Sequence, residues 1–221
     1  MLIGIVGFMG SGKGTVGDII QKQGYVKDSF AKPLKDACAE IFAWDRKLLE
    51  GDSEESRKWR ELPDEYWSKA FNRDFTPRDA LQLLGTEGGR NVFHKDIWVH
   101  SLMKRAQDAN TVVTDVRFRN EIEMIHDHGG KIVRIIRGPE VSWFEDAVTL
   151  NKGPKKNYRW ASAKYNIQDL GIHSSEFDWV GCHIDYTIEN NGTLIQLETE
   201  VHRMLNDDIF MGYSKFYNTV Y

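Results

Sequence analysis

Leu2-Ile3-Gly4-Ile5-Val6-Gly7-Phe8-Met9-Gly10-Ser11-Gly12-Lys13-Gly14-Thr15 is the stretch on which the fold reading turns. Its first five residues form a short, nearly continuous apolar run, the pattern of a strand buried on both faces of a parallel sheet. Glycines at 7, 10, 12 and 14 follow, and then Val16, Ile19 and Ile20 fall at helical spacing. The reading is strand, glycine-rich loop, helix. Gly7 to Lys13 fits G-x-x-x-x-G-K in the context that motif requires. Glycines let backbone N–H groups turn inward toward phosphate oxygens, the helix N-terminus adds partial positive charge, and Lys13 reaches the β- and γ-phosphates of a nucleotide. Gly10, Ser11, Gly12, Lys13, Gly14 and Thr15 are therefore the candidate phosphate cradle.

Outward from the loop, strand and helix signals alternate. Pro33 opens a helix whose apolar face is expected at Leu34, Ala37, Cys38, Ile41 and Phe42. Residues 45–74 are crowded with charges and read as short helices on one rim. Trp59, Tyr66, Trp67 and Phe71 there read as a small satellite core rather than a base-stacking platform. Thr76 and Pro77 look like the N-cap and first residue of a helix running to about Leu84, with Gly85 as its stop. Trp98, Leu102 and Ala106 suggest another helix, and Thr111–Thr114 a second strand ending at Asp115. A charged helix with Ile122 and Ile125 inward, a strand over Ile132–Ile136, a strand over Ile184–Ile188 and a closing helix marked by Leu194, Leu197, Val201 and Leu205 complete the pattern. Residues 140–180, polar and weakly periodic, read as a long lid or binding loop. The tail 207–221 has no clear pattern. Alternation of this kind predicts an α/β fold: a central parallel sheet with helices on both faces.

Asp115 at a strand's C-terminal end is placed to orient Mg²⁺ through water, and Arg117 to meet a phosphate. Arg119 and Glu121 read as a surface pair. Arg78, Gln82 and Arg90 are polar groups around an apolar helix and the turn after it. The histidines give no trusted metal-binding spacing.

Composition narrows the classes. The chain has 221 residues, 29 Lys+Arg against 33 Asp+Glu, a formal net charge of −4, and 41% hydrophobic and 28% charged residues. This is the make-up of an ordinary globular protein. Mild acidity argues against a nucleic-acid coat protein, and Lys152–Arg159 is too weak a basic run to change that. Two cysteines, Cys38 and Cys182, build neither a disulfide framework nor a four-thiolate zinc site, and a reducing, cytoplasmic setting is expected. No apolar run approaches the roughly 18 residues of a membrane span. Leu2–Val6 is expected to be too short for a signal-peptide core and lacks a basic leader.

Gly14 stands where the usual Ser or Thr follows the lysine, with Thr15 one place later; that variant is similar to the loop of adenylate-kinase-like enzymes. The chain as a whole resembles the bacteriophage deoxynucleoside monophosphate kinases. The matching pieces are the Gly7–Thr15 loop, Phe30-Ala31-Lys32-Pro33-Leu34-Lys35, and Leu81-Gln82-Leu83-Leu84-Gly85-Thr86 with Arg90 and Trp98. They continue with Thr114-Asp115-Val116-Arg117, Arg137, His173-Ser174-Ser175-Glu176, and Asp185-Tyr186-Thr187-Ile188-Glu189-Asn190 before Gly192. Dephospho-coenzyme A kinase shares the first and last pieces.

The resemblance implies one three-layer P-loop kinase domain over 1–221, with an acceptor-binding rim at about 45–95 and a lid insertion at about 138–176. It implies transfer of the γ-phosphoryl of ATP to a deoxynucleoside monophosphate, with Mg²⁺. By resemblance, Lys13, Asp115, Arg117 and Arg137 carry the chemistry, and Thr15 and Asp115 serve the metal. Asn190 and Gly192 lie by the donor adenine. Lys32, Lys35, Arg78, Gln82, Thr86, Arg90, Ser175 and Glu176 serve the acceptor and lid. A small-molecule partner is implied, without membrane or nucleic acid, and a homodimer is left open. The alternatives are another small-molecule P-loop kinase or a non-catalytic nucleotide-binding module.

Overall fold

The computed structural model describes residues 1–155, 157–207 and 210. The chain divides into two compact units: Met1–Ser29 with the chain from Ala106 onward, and Phe30–Arg105.

The first unit begins with β1 (Leu2–Val6), α1 (Lys13–Lys22) and β2 (Val26–Asp28). The second unit then holds α2 (Lys32–Phe42), α3 (Glu54–Glu61), α4 (Glu65–Phe71), α5 (Pro77–Gln82), a π-helix (Leu83–Arg90) and α6 (Ile97–Arg105). The first unit resumes with β3 (Thr111–Val113), α7 (Arg119–Asp127), β4 (Lys131–Ile136), α8 (Phe144–Lys152), α9 (Tyr158–Asp169), α10 (Ser174–Phe177), β5 (Tyr186–Glu189) and α11 (Leu194–Leu205).

Five strands make one sheet in the order β2-β3-β1-β4-β5. All pairings are parallel: Leu2 lies opposite Thr111, Gly4 opposite Ile132, and Val133 opposite Tyr186. Every residue of β1 is buried, as its unbroken apolar run requires. Alternate residues serve the two faces. Ile3 and Ile5 join Val112, Val133, Ile135 and Ile188 beneath Val16, Ile19 and Ile20 of α1 and Leu197, Val201 and Met204 of α11. On the other face α7 comes close at Gly4, where a Cβ would stand 2.6 Å from Ile125 Cδ1. The result is a three-layer α/β fold. The chain crosses β1 between β3 and β4, so the loop leaving β1 opens at the point where strand order reverses, a ligand site in open parallel sheets.

The second unit packs Cys38, Leu49, Phe75 and Ala80 against Phe42, Trp44, Trp59 and Trp67. This is the satellite core expected of its aromatics, although Tyr66 and Phe71 remain exposed. Ile41, expected on the buried face of α2, is 55% exposed. The Thr76 cap is a full capping box, its hydroxyl accepting from Asp79 N and the Asp79 carboxylate from Thr76 N.

Several expectations need correcting. Gly85 does not stop a helix: α5 widens into the π-helix and runs to Arg90. Gly85 and Gly89 are there for packing, since a Cβ would stand 3.0 Å from Leu34 at one and 2.6 Å from the Trp98 ring at the other. Trp98 Nε1 donates to the Gly85 carbonyl at 2.8 Å. Residues 140–180 are not a loop but α8, α9 and α10. The last strand starts at Tyr186, and Leu194 is 57% exposed. β2 has no counterpart among the expected strands. The patternless tail falls largely outside the described residues.

Candidate active site

The loop from Gly7 to Gly12 is shaped by positive backbone φ at Gly7 (146°), Gly10 (80°) and Gly12 (99°), angles that side-chain-bearing residues rarely adopt. It is tightened by Ser11 N donating to Phe8 O at 3.2 Å. Lys13, the first residue of α1, folds back over it, Nζ donating to Gly7 O at 2.7 Å and Phe8 O at 2.9 Å. Burial, and next the Arg117 guanidinium, push its ammonium down to about 8, while the Glu176 carboxylate works the other way. Ser11 Oγ is buried with no hydrogen-bond partner among the described residues. Gly14 and Thr15 are exposed at the mouth. A glycine-shaped loop at a helix N-terminus, a lysine that donates to loop carbonyls and a buried hydroxyl unsatisfied among the described residues suit an anionic oxygen ligand.

Asn190 follows β5 directly. Its backbone N–H donates to Ile136 O at 2.7 Å, and its side-chain amide donates to Ser11 O at 2.9 Å. That amide occupies the space a Cβ on Gly12 would need, 2.4 Å away. The last strand thus braces the loop at the first strand. Gly192 lies within the Thr193 cap of α11, where a Cβ would stand 2.3 Å from Gln196 Oε1.

Asp115 lies just past β3 and is half-buried. Arg117 faces Glu176 at 3.4 Å, which joins the start of α7 to α10. Arg119 and Glu121 are not a surface pair. Glu121 is 5% exposed, and its carboxylate accepts from the backbone N–H of Arg117 at 2.7 Å and Phe118 at 3.0 Å. Arg119 N donates to Asp178 Oδ2 at 2.7 Å. The segment after β3 is therefore held in shape by two carboxylates, a demand of unpaired backbone donors that charge patterning did not reveal. Ser175 N donates to His173 Nδ1 at 3.2 Å, and Arg137 is exposed just beyond β4.

Phe8 anchors the loop on its other side. Its ring meets Trp143 edge-on at 5.2 Å and Trp179 at 5.1 Å. Arg134 lies over Phe144 (4.7 Å) and Trp179 (5.3 Å), its charge paired with Glu140. Asn151 Nδ2 donates to Phe177 O (2.7 Å) and Val180 O (2.8 Å), tying α8 to the returning chain. Sequence reasoning passed over Phe8, Trp143, Asn151 and Trp179; an aromatic inside a glycine loop was the available signal.

In the second unit the expected acceptor residues are partly engaged. Lys32 pairs with Asp36 at 3.0 Å, Lys35 with Glu50 at 2.6 Å, and Arg78 with Glu61. Gln82, Thr86 and Arg90, on the π-helix or at its start, are exposed.

No protein-family model matches the chain. A protein of Acanthamoeba polyphaga mimivirus named as a deoxynucleotide monophosphate kinase is 36% identical over 152 residues, 62% of this chain and 74% of that protein. The chain belongs to the deoxynucleotide monophosphate kinase family. The deoxynucleoside-5′-monophosphate kinase of Escherichia phage T5 is 45% identical over 56 residues, 24% of this chain and 22% of that enzyme. Among solved structures, dephospho-CoA kinase from Campylobacter jejuni aligns over 96% of this chain and 98% of its own, at 16% identity and a TM-score of 0.45. Shikimate kinase from Aquifex aeolicus vf5 aligns over 93% and 96%, at 16% identity and 0.43. As a family member the chain is a P-loop kinase, a phosphotransferase.

Proposed function

We propose that this family member transfers the γ-phosphoryl group of ATP to a deoxynucleoside 5′-monophosphate, giving the diphosphate and ADP. The observation that carries the reading is the glycine loop itself: among the described residues Lys13 has only loop carbonyls as hydrogen-bond partners, and the buried hydroxyl of Ser11 has none.

In this reaction an oxygen of the acceptor's 5′-phosphate attacks the γ-phosphorus, the bond to the β,γ-bridging oxygen breaks, and ADP departs. The acceptor phosphate is largely a dianion at neutral pH, with a second pKa of about 6, so no general base is required. The protein's work is alignment and charge neutralisation. Loop N–H groups and Lys13 hold the donor phosphates. Arg117, kept near the loop by Glu176, and Arg137 stabilise charge on the transferring group. An arginine in that role contributes about 10³–10⁵ in rate in phosphoryl-transfer enzymes.

Mg²⁺ fits the donor set of Thr15 and Asp115, a hydroxyl and a carboxylate at the same sheet edge. A hard cation takes such oxygen ligands and fills its shell with water and phosphate. Bound there, Mg²⁺ supplies positive charge to the β- and γ-phosphates. Asn190 supports the donor site by bracing the loop, and the adenine lies toward Asn190 and Gly192. Lys32, Lys35, Arg78, Gln82, Thr86 and Arg90 serve the acceptor. The segment 138–176, with Ser175 and Glu176 at its return, acts as the lid that keeps water from the γ-phosphoryl.

The test is a panel of the four deoxynucleoside monophosphates and dephospho-CoA with ATP and Mg²⁺, read by ADP formation. Turnover with one or more of the nucleotides, little ATP hydrolysis without acceptor, and abolition by Lys13→Ala in a folded variant are expected. Turnover only with dephospho-CoA, or rapid hydrolysis independent of acceptor, would refute the assignment.

A further inference from the structure

The edge of the sheet opposite the phosphate loop carries a second set of chemical groups. His126 lies in the last turn of α7, and His183 and Asp185 just precede β5. Parallel pairing of β4 with β5 brings them together at the N-terminal ends of those strands, about 15–20 Å from the loop edge at the rise of a β-strand. His126 Nε2 is 2.8 Å from Asp185 Oδ2, and His183 Nε2 is 3.8 Å from Asp185 Oδ1. The two imidazole rings are 5.4 Å apart, and the three ligand atoms all lie within 4.8 Å of one another.

We propose that His126, His183 and Asp185 form a binding site for a borderline divalent transition metal, of which zinc is the type, separate from the Mg²⁺–nucleotide site. Two imidazoles and one carboxylate leave a fourth position for water, a known zinc donor set. Donors about 2.0–2.2 Å from a tetrahedral ion lie about 3.3–3.6 Å from one another, so the two separations to Asp185 (2.8 and 3.8 Å) need adjustments of under about 1 Å, and the exposed His183 side chain can turn to close the remaining one. Imidazole donors favour zinc, nickel or copper over the Mg²⁺ that accompanies ATP.

The carboxylate is preorganised. Its side chain is only 7% exposed, Ile132 N–H donates to Oδ2 at 2.8 Å, and Lys131 Nζ donates to Oδ1 at 3.1 Å. Outer contacts of this kind orient a ligand. His183, 75% exposed, leaves the open side reachable from solvent. Lys131 has a second effect: its ammonium competes with any cation for Asp185. The site is therefore of modest affinity as built, and loss of that charge tightens it.

The test is titration of the full-length protein, without nucleotide, with Co²⁺ read by visible d–d absorption and with Zn²⁺ by calorimetry. One ion per chain is expected. His183→Ala should weaken binding by about tenfold or more, with kinase activity unchanged. Lys131→Gln should tighten it severalfold, an effect that a purely structural role for the cluster does not produce. His94→Ala, which removes one of the other neighbouring histidine pair (His94–His100, rings 5.4 Å apart), should leave it unchanged. Absence of a saturable Co²⁺ band in the wild type, or binding of undiminished affinity in His183→Ala, would overturn the assignment.

Discussion

Lys13 lends itself to a quantitative test. Burial and Arg117 bring its pKa to about 8, and a triphosphate placed against the ammonium restores the ordinary value of 10.5. Binding must then draw a proton from solvent whenever the free lysine is deprotonated. The uptake per nucleotide is about 0.1 at pH 7, about 0.5 at pH 8 and about 0.9 at pH 9, and the lysine's share of the affinity falls about tenfold from pH 7 to pH 9. The assay is calorimetric titration with Mg²⁺ and an imido analogue of ATP, in pairs of buffers that differ in ionisation enthalpy. Lys13→Arg, protonated throughout, should abolish the uptake. Arg117→Met should reduce it at pH 8, but only in part, because burial is the larger cause. The same shift affects stability without nucleotide. Between about pH 8 and 10.5 the unfolded chain holds more protons at this lysine than the folded one, so its contribution to stability improves as pH rises through that window. Buffer-independent heats at pH 8 and 9, or equal uptake in Lys13→Arg, would refute the reasoning.

Other outcomes follow from single contacts. Asn190→Ala removes the donor to Ser11 O and should cost about 0.5–1.5 kcal/mol, seen as a severalfold rise in the KM for ATP with a smaller change for the acceptor. Trp98→Phe removes the indole hydrogen bond to Gly85 O and should lower unfolding stability by a similar amount, read from the urea midpoint. Burial would raise the Asp36 and Glu50 carboxyls, but hydrogen bonds outweigh it and lower both: from Arg46 and Lys32 to Asp36, and from Lys35 and Arg46 to Glu50. Their contribution is complete above the ordinary carboxylate range and is lost as pH falls below it. Asp36→Asn should therefore flatten the acid limb of the stability profile, and an unaltered limb would count against the network.

What was legible in the sequence is what local physics dictates. The β1–loop–α1 unit, the Thr76 cap and the inward face of α7 each carry their signal within a dozen residues. β2 leaves little trace in the sequence because it has only three residues at the sheet's edge with Val26 half exposed, so burial imposes little pattern. α8 and α9 have a loop-like sequence because their fully buried positions are few and mostly small: Ala147, Ala163 and Ile167. Gly85 reads as a stop by propensity, and only the tertiary neighbours Leu34 and Trp98 explain its place inside a widened helix. The bracing role of Asn190 has no local signal because its decisive partner lies 179 positions away. His126 and Asp185, 59 apart, meet only once β4 and β5 are in register.

The placement of β1 at the centre of the sheet has a consequence during synthesis. Its two neighbours are not encoded until Thr111 and Lys131, so this apolar segment is synthesised long before either and waits for both. At about 5–20 residues per second that wait is about 6 to 25 seconds, with a sticky strand exposed on the nascent chain. The loop's brace at Asn190 arrives later still. An intermediate stalled before β5 would carry the whole nucleotide motif and yet hold its ligand less firmly, which lengthens the period in which chaperones can capture the chain.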